Sequence, residues 1–211
     1  MAFAYISFFS AFLPLVLGLL QWKSIRSGLK LIIYASVASI FFDATAYLFI
    51  TQNINTWPVG NLFIIVQFAI LFFSLSRYIN ILFLDCFFYG CVVFSLANYF
   101  FLQNAYIFNS YTAYVIGIFM ITSALSLLYR LMVELPVERI DRLPEFWIAF
   151  AVLVYYGGTL FLFLFNNYLI DHLPKSHQAI WTLHNLLNVT KNVFLFAAIW
   201  TQCKNRTSPS S

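Results

Sequence analysis

The stretch Leu29–Ile50, LKLIIYASVASIFFDATAYLFI, decides the fold class of this chain. It is long enough to cross the hydrocarbon core of a bilayer, which takes about 20 mostly apolar residues of α-helix. Charge enters it only at Lys30, near its start, and at Asp43, beyond its middle. A stretch of this length and composition predicts a membrane-spanning helix.

The whole chain shares this composition. Of its 211 residues, 63% are hydrophobic and 9% are charged, and 26 are Phe and 13 are Tyr. Soluble globular chains are about half apolar and about a quarter charged, so the excess apolar surface has to face lipid. The composition excludes a soluble enzyme, a disordered chain and a secreted disulfide scaffold. A basic patch for nucleic acid is absent from the sequence, so no nucleic-acid partner is expected.

Seven apolar runs of spanning length are separated by short polar segments. The runs are Phe3–Leu20, Leu29–Ile50, Val59–Ser76, Ile81–Phe101, Tyr111–Val133, Phe146–Ile170 and Ala179–Thr201. They lack the period-2 alternation of a membrane barrel. We therefore predict an all-α fold, a polytopic bundle of seven transmembrane helices that forms one domain over 1–201, followed by a short cytoplasmic tail at 202–211.

The placement of Lys and Arg predicts the orientation of this bundle. Nine of the eleven basic residues fall on one side if the helices alternate in direction, namely Lys23, Arg26, Lys30, Arg77, Arg130, Arg139, Arg142, Lys204 and Arg206. The loops of the other side hold only Lys175. Because cytoplasmic loops carry the excess of positive charge, we expect the N-terminus outside and the C-terminus in the cytoplasm of a multi-pass protein in the plasma (inner) membrane.

Two ionisable residues are predicted to lie deep in the bilayer, where a charge is costly and is usually functional. Asp43 lies thirteen residues from Lys30, and Lys191 lies thirteen residues from Lys204. At 1.5 Å per residue, both are about 20 Å from the basic face. Their equal depth and opposite charge predict that Asp43 and Lys191 pair, directly or through water.

Polar residues recur at helical spacing beside both of these charges, and such stripes turn away from lipid. We predict an outward-facing polar cavity, with Gly157-Gly158 allowing close helix approach. The ligand-binding candidates are Asp43, Tyr47, Gln67, Tyr155, His184, Asn188 and Lys191. Simple hydrogen bonding between helices is the structural alternative for several of them. No metal site is expected, since Asp171, His172 and His177 in one outer loop lack a convincing ligand spacing.

The aromatic residues are expected to contact lipid or to fill the bundle. Five tryptophans fall near the ends of the runs, which is typical of the interfacial aromatic belt. They are Trp22, Trp57, Trp147, Trp181 and Trp200. The stretch Phe161–Phe165, FLFLF, is interpreted as lipid-facing or packing surface.

In topology, with one lysine halfway along the last of seven helices, the chain resembles the retinal-binding rhodopsins, although this helix reads HNLLNVTKNVF and not their acid-x-x-x-lysine signature. The resemblance implies retinal bound to Lys191 as a Schiff base, with Asp43 as its counter-ion. It covers the topology and this lysine. The third helix carries Gln67 where those proteins have an acid, and the sixth lacks their Trp- and Pro-bearing pattern.

Three other functions compete at the level of sequence. A membrane-embedded lipid hydrolase would use Asp43 and His184, although no second membrane histidine stands at ligand spacing. A small solute or ion carrier would use Asp43 and Lys191 as a relay. The preferred interpretation is a receptor-like or sensory protein without enzymatic activity. It would bind a small or lipid-like ligand and signal to a membrane or cytoplasmic partner through Glu134–Glu145 or the tail.

Overall fold

The structure is a computed structural model that describes residues 2–79, 82–134, 139–172 and 177–207, with side chains except at 2, 82, 83, 164–172, 177, 206 and 207. These residues form helices and no strands. The helices are α1 (Ala2–Ser10), α2 (Phe12–Leu20), α3 (Ser27–Thr51), α4 (Trp57–Ser76), α5 (Leu82–Ala97), α6 (Ser110–Glu134), α7 (Pro144–His172) and α8 (His177–Thr207). A π-helical turn, Asn98–Leu102, extends α5, and a short 3-10 turn, Ile140–Arg142, precedes α7.

Helices coincide with all seven predicted runs, which confirms the all-α class. Six described segments are long and apolar enough to cross a membrane, with mean hydropathies of 1.4 to 2.1. They are Phe3–Leu20, Ser27–Thr51, Trp57–Ser76, Leu84–Leu102, Ser110–Glu134 and Pro144–Phe163. The seventh run lies in α8, which has 31 residues but carries the polar stripe. The chain is therefore a helical bundle of the membrane-spanning kind.

The last helix runs past the predicted domain end at 201. Gln202 is buried, and the side-chain amide of Asn205 donates to the carbonyl of Arg142 at 2.7 Å. These contacts tie the end of α8 to the turn before α7. They explain why the segment predicted as a tail remains helical through Thr207.

The first run is broken into α1 and α2 at Ala11. Proline has no N–H to donate, so Pro14 removes the helical hydrogen bond that the carbonyl of Ser10 would accept. The N–H of Ala11 bonds to the carbonyl of Phe8, three residues back, at 3.3 Å, and Ala11 itself keeps helical backbone angles, φ −66° and ψ −21°. The sequence therefore places a local break inside an otherwise apolar spanning segment.

α7 is the central helix, packed against both α6 and α8. Its residues Ile148, Ala149, Ala151 and Val152 are fully buried, and the two alanines let its neighbours approach closely. α3 packs on α4, while α1 and α2 pack on α8. The core on the other side of the bundle is aromatic, and the rings of Phe72 and Phe88 stack there at 4.6 Å.

Gly158 of α7 lies directly against the side chain of Leu187 on α8. A methyl group at this position would lie 2.6 Å from Cδ2 of Leu187, so only glycine fits without a shift. A methyl group at Gly157 would have no heavy atom within 4 Å. Of the predicted glycine pair, Gly158 alone serves the close approach.

Side-chain hydrogen bonds tie the connecting segments at both ends of the bundle. At the end with the basic residues, Arg130 donates to the carbonyl of Tyr78 at 2.9 Å. At the opposite end, the buried Asn61 donates to the carbonyls of Ala105 and Ile107 and accepts from the N–H of Asn109. Asn61 thereby fixes the segment between α5 and α6 to α4.

Candidate functional site

Lys191 lies inside the bundle on α8, and its side chain is directed at α7. The residue is 1% exposed, and its Nζ has no hydrogen-bond partner among the described residues. Nζ lies over the ring of Tyr155, 4.7 Å from the ring centroid. The nearest stabilising contact of the ammonium is therefore the negative face of an aromatic ring.

The predicted direct ion pair between Asp43 and Lys191 is not formed. The two charges lie close enough to interact electrostatically, and Asp43 also acts on Tyr155. No salt bridge joins them, however, because the ammonium of Lys191 is directed at the ring of Tyr155 on α7. A water-bridged contact stays a prediction. We refer to Asp43, Tyr155, His184 and Lys191 as the lysine site.

His184 lies two helical turns outward from Lys191 on the same helix. Its Nδ1 is buried without a hydrogen-bond partner among the described residues. Its ring centroid is 6.0 Å from that of Tyr155 and 5.3 Å from those of Phe163 and Trp181. His184 therefore joins the lysine site to a cluster of aromatic side chains farther out.

This cluster, which we call the aromatic cap, consists of Trp57, Phe108, Phe163 and Trp181. Ring centroids are 5.9 Å apart for Trp57 and Trp181, 5.6 Å for Trp57 and Phe108, and 5.2 Å for Phe108 and Phe163. The cap brings together α4, the segment before α6, α7 and α8. It covers the lysine site on the side away from the basic end, and Lys191 is 1% exposed, so the predicted cavity around Lys191 is not open in this structure.

The cap changes the interpretation of several aromatic residues. The rings of Trp57 and Trp181 contact each other inside the cap, whereas the sequence analysis assigned both residues to the interfacial aromatic belt. Within FLFLF, Phe163 is buried at 9% exposure, whereas Phe161 is 67% exposed. Phe161 and Phe163 therefore lie on different faces of α7, a distinction that the prediction for the whole stretch did not make.

Asn188 belongs to a different contact from the one predicted. Its side-chain amide donates to Oγ of Ser7 at 2.8 Å, and that of Asn192 donates to Oγ of Ser10 at 2.8 Å. This ladder joins α8 to α1 beside the break at Ala11. Ser7 and Ser10 are about one helical turn apart, and so are Asn188 and Asn192. This matching spacing is the sequence signal that could have predicted the two hydrogen bonds.

Two further candidates do not join the lysine site. Tyr47 is 56% exposed, so its side chain lies on the outer surface of α3. Gln67 is buried on α4 at 3% exposure, and no described hydrogen bond, ring contact or electrostatic interaction joins it to Asp43, Tyr155, His184 or Lys191. Of the seven predicted site residues, the structure therefore brings together Asp43, Tyr155, His184 and Lys191.

A wide groove does open near the ends of α1 and α8 that lie away from the basic residues, with a volume of about 520 Å³. It is lined by Phe3, Gln178, Ala179, Thr182, Leu183 and Leu186. None of these is a predicted site residue. The groove is a shallow surface feature, and it is separate from the polar cavity that the sequence predicted.

The predicted outer-loop residues Asp171, His172 and His177 lie outside the side chains that the structure describes. Among the described residues, no group of three or more His, Cys, Asp and Glu side chains could hold a metal ion. The chemistry available at the lysine site is therefore that of one amine, one carboxyl group, one imidazole and one phenol.

The basic end holds a second group of buried polar atoms. Arg26 donates to Oε1 of Glu145 at 3.0 Å, while Oε2 of Glu145 and the hydroxyl of Tyr78 are buried without described partners. Burial raises the pKa of Tyr78 to about 12, with a smaller contribution from the negative charge of Glu145 and an opposing one from Arg26. The phenol of Tyr78 therefore stays protonated at neutral pH and can act as a hydrogen-bond donor.

The lysine site lies between α3, α7 and α8, and the aromatic cap closes it on the outer side. Its function has to be inferred from these residues, because no protein-family model, no curated protein and no solved structure matches this chain.

Proposed function

We propose that this chain is a receptor-like or sensory membrane protein that binds a small amphipathic ligand at the lysine site. One observation carries the proposal. Among the side chains that the structure describes, the buried nitrogen atoms without a hydrogen-bond partner are Nζ of Lys191 and Nδ1 of His184. Both belong to the lysine site. Because buried polar atoms are nearly always paired, two unpaired ones in one place favour a missing ligand.

The proposed bundle has seven spans, with α8 as the seventh. Its 31 residues exceed the roughly 20 that a span requires, and it packs along α7. Its polar stripe does not have to meet lipid, because Lys191 and Asn192 are buried at 1% and 3% exposure. A polar face turned inward explains how a helix of modest hydropathy can cross the bilayer.

The proposed orientation places the N-terminus outside and the basic end in the cytoplasm of the plasma (inner) membrane. The antiparallel packing of the helices supports it, since the segments that hold the basic residues meet at one end of the bundle. An excess of Lys and Arg marks the cytoplasmic face. A reporter fused to the C-terminus, active only in the cytoplasm, tests the assignment.

Ligand entry would require the aromatic cap to open. The cap separates the lysine site from the outer face, and its rings come from four parts of the chain. A ligand with a polar group and an apolar body would give Nζ of Lys191 a hydrogen-bond partner and would pack its apolar body against the rings. Binding would then favour those helix packings in which α7 and α8 accommodate the ligand.

The signal would leave at the basic end through the same two helices. α7 carries Tyr155 in the site and Glu145 at its cytoplasmic start, and Glu145 bonds to Arg26. α8 carries Lys191 and, near its end, Asn205, which bonds to Arg142. A shift of α7 against α8 would therefore move the connection before α7, where a partner protein would bind.

Thermal-shift screening of the full chain in detergent tests the ligand site. Amphipathic small molecules that bind there should raise the melting temperature of the wild type but not that of Lys191→Met. Lys30→Met is the matched control, because Lys30 lies over the Trp22 ring at 5.0 Å but at the basic end. Hits that stabilise wild type and Lys191→Met equally would contradict the proposal.

A solute carrier is the second candidate, and the break at Ala11 favours it. Broken helices near the bilayer midplane expose backbone groups to a transported solute. The contact of Ser10 with Asn192, the neighbour of Lys191, places the break at the depth of the lysine site. Uptake of a stabilising ligand into proteoliposomes would favour the carrier, and binding without uptake would favour the receptor.

A further inference from the structure

We propose that the groove between α1 and α8 binds one acyl chain of a membrane phospholipid. The side chains described along this α1–α8 groove are all uncharged. They are Phe3, Gln178, Ala179, Thr182, Leu183 and Leu186. The inference goes beyond the proposed function, because none of these residues belongs to the lysine site. It uses the proposed topology only in taking α8 as a helix that faces lipid.

The α1–α8 groove has a length that suits one leaflet of a bilayer. On α8 its lining extends from Gln178 to Leu186, which is about 12 Å along the helix axis. Half of a hydrocarbon core about 30 Å thick is about 15 Å. A chain that enters beside Gln178 would therefore follow the groove through most of the depth of its own leaflet.

The helix α1 bounds the groove at its inner end. Oγ of Ser7 accepts a hydrogen bond from Asn188 at 2.8 Å, and the next contact along both helices joins Ser10 to Asn192, so α1 and α8 run parallel. Phe3 lies one helical turn before Ser7. The groove is therefore open on the side of Phe3 and ends where the first hydrogen bond joins the two helices.

Polarity changes along the groove as it does along a lipid. The exposed amide side chain of Gln178 lies at the start of α8, and it can donate to an ester carbonyl of a phospholipid. Leu183 and Leu186 follow, at 44% and 48% exposure, and offer an apolar surface to hydrocarbon. The hydroxyl of Thr182 donates to the carbonyl of Gln178 at 2.8 Å, so it needs no partner in the groove.

The size of the groove decides between the possible occupants. Its volume of about 520 Å³ lies in the range of sites that hold one small molecule, about 300–1,000 Å³. A helix 10–12 Å wide would fill about 1,000 Å³ over the same length, about twice the volume of the groove. A stable contact with a second copy takes about 20–30 residues a side, far more than line this groove. A single lipid chain therefore fits better than a helix or a second protein.

An empty groove would also be unfavourable in this solvent. Apolar side chains that face a void lose their dispersion contacts on that side. Phe3 is 48% exposed beside the two leucines, so a chain in the groove restores contacts to all three. The bilayer supplies such chains at every exposed position of α8.

The test uses the full chain in vesicles of phosphatidylcholine, with a small fraction of phosphatidylcholine that carries a diazirine in the middle of one acyl chain. Illumination attaches this probe to neighbouring side chains. Trypsin cleavage after Lys191 separates the groove part of α8 from a second peptide, which holds Val193 and Trp200 at 44% and 56% exposure. We expect the groove peptide, with Leu183 and Leu186, to be labelled about fivefold more, which corresponds to about 1 kcal/mol.

Two variants place the same ring inside and outside the groove. Ala179→Phe fills the groove from an exposed position, and Val193→Phe adds a ring to the exposed face of α8 beyond it. Ala179→Phe should lower labelling of the groove peptide to that of the second peptide, whereas Val193→Phe should leave it unchanged. Melting temperatures show that both variants remain folded, and the comparison of the two wild-type peptides needs neither variant.

The possible failures are distinguishable. Equal labelling of the two wild-type peptides, or labelling that Ala179→Phe does not lower, would overturn the lipid site and leave the proposed function standing. Weaker labelling of the groove peptide would overturn it too, since protein would then cover the groove. If neither peptide is labelled, α8 does not face lipid, and the seven-span arrangement of the proposed function is overturned as well.

Discussion

Replacing Lys191 by methionine should stabilise this protein. The substitution Lys191→Met keeps a long unbranched side chain of similar volume but removes the ammonium. Lys191 is fully buried, and its Nζ has no hydrogen-bond partner among the described residues. The amine thus costs folding free energy that an apolar side chain would not. A residue kept at such a cost is expected to serve binding, and its loss should separate stability from function.

The size of the effect follows from two opposing contributions. A lysine near the centre of a membrane helix costs about 2.5–3.5 kcal/mol on insertion scales, and methionine avoids this cost. The contact of Nζ with the Tyr155 ring, at 4.7 Å, offsets it by about 0.5–2 kcal/mol. The net gain is therefore about 0.5–3 kcal/mol. The net gain should lie toward the lower limit, because Lys191→Met removes a positive charge that stabilises the carboxylate of Asp43.

The assay is thermal unfolding of the purified chain in one detergent. For a chain of this length, 1 kcal/mol corresponds to about 2–4 °C in melting temperature, so Lys191→Met should melt several degrees higher than wild type. The control Lys30→Met loses the contact with the Trp22 ring and removes no buried charge, because Lys30 is not a buried residue. It should melt at the same temperature as wild type or slightly lower. The double variant Asp43→Asn, Lys191→Met should show the full rise in melting temperature, because it has no carboxylate that loses a neighbouring positive charge. A fall of several degrees in Lys191→Met would refute the reasoning and make Lys191 a structural residue.

Three further predictions concern packing and the basic end. Asn61→Ala removes three hydrogen bonds to the segment before α6 and should cost about 2–4 kcal/mol, with faster amide exchange in 103–109; Asn61→Asp keeps one acceptor but places a buried carboxylate oxygen against two carbonyl groups, so it should cost at least as much. Gly158→Ala forces a clash with α8 and should lower stability by about 1–3 kcal/mol, whereas Gly157→Ala should be neutral or mildly stabilising; equal melting temperatures would contradict the close approach. The raised pKa of Tyr78, about 12, stabilises the fold fully below pH 10, and this stabilisation is lost as the pH rises from 10 toward 12. Alkaline denaturation of wild type should therefore be steeper than that of Tyr78→Phe, and superimposable curves would rule out the contribution.

The helices of this fold were predictable because lipid imposes a simple rule on sequence. An apolar run of about 20 residues in a bilayer has to be helical, so the run Leu29–Ile50 lies within α3 and Phe146–Ile170 within α7. The break at Ala11 follows from Pro14 by local chemistry, and could have been placed from the sequence. The depth of Asp43 and Lys191 needed only the rise per residue.

Side-chain direction was harder to predict, because it depends on how the helices rotate against one another. Equal depth suggested that Asp43 and Lys191 meet, but the rotation of α8 directs Lys191 at Tyr155. The same rotation brings the side-chain amide of Asn188 within hydrogen-bond distance of Ser7 on α1. The inward position of Phe163 and Trp181 depends on α7 and α8 together, so a single-helix pattern could not separate them from lipid-facing aromatics.

The distribution of satisfied polar groups is the strongest reason to assign a function to the lysine site. Asn61, Asn188 and Asn192 all find partners outside their own helices, so the described part of this fold pairs the nitrogen donors of these buried side chains. The buried side-chain atoms without described partners are otherwise oxygens, mostly at the ends of the bundle. An unpaired acceptor costs less than an unpaired ammonium. The exception at Lys191 and His184 therefore falls at the costliest place and lies beneath the aromatic cap. The described side chains pair their other buried nitrogen atoms but leave Nζ of Lys191 and Nδ1 of His184 without partners, and this favours a site whose hydrogen-bond partner is a ligand.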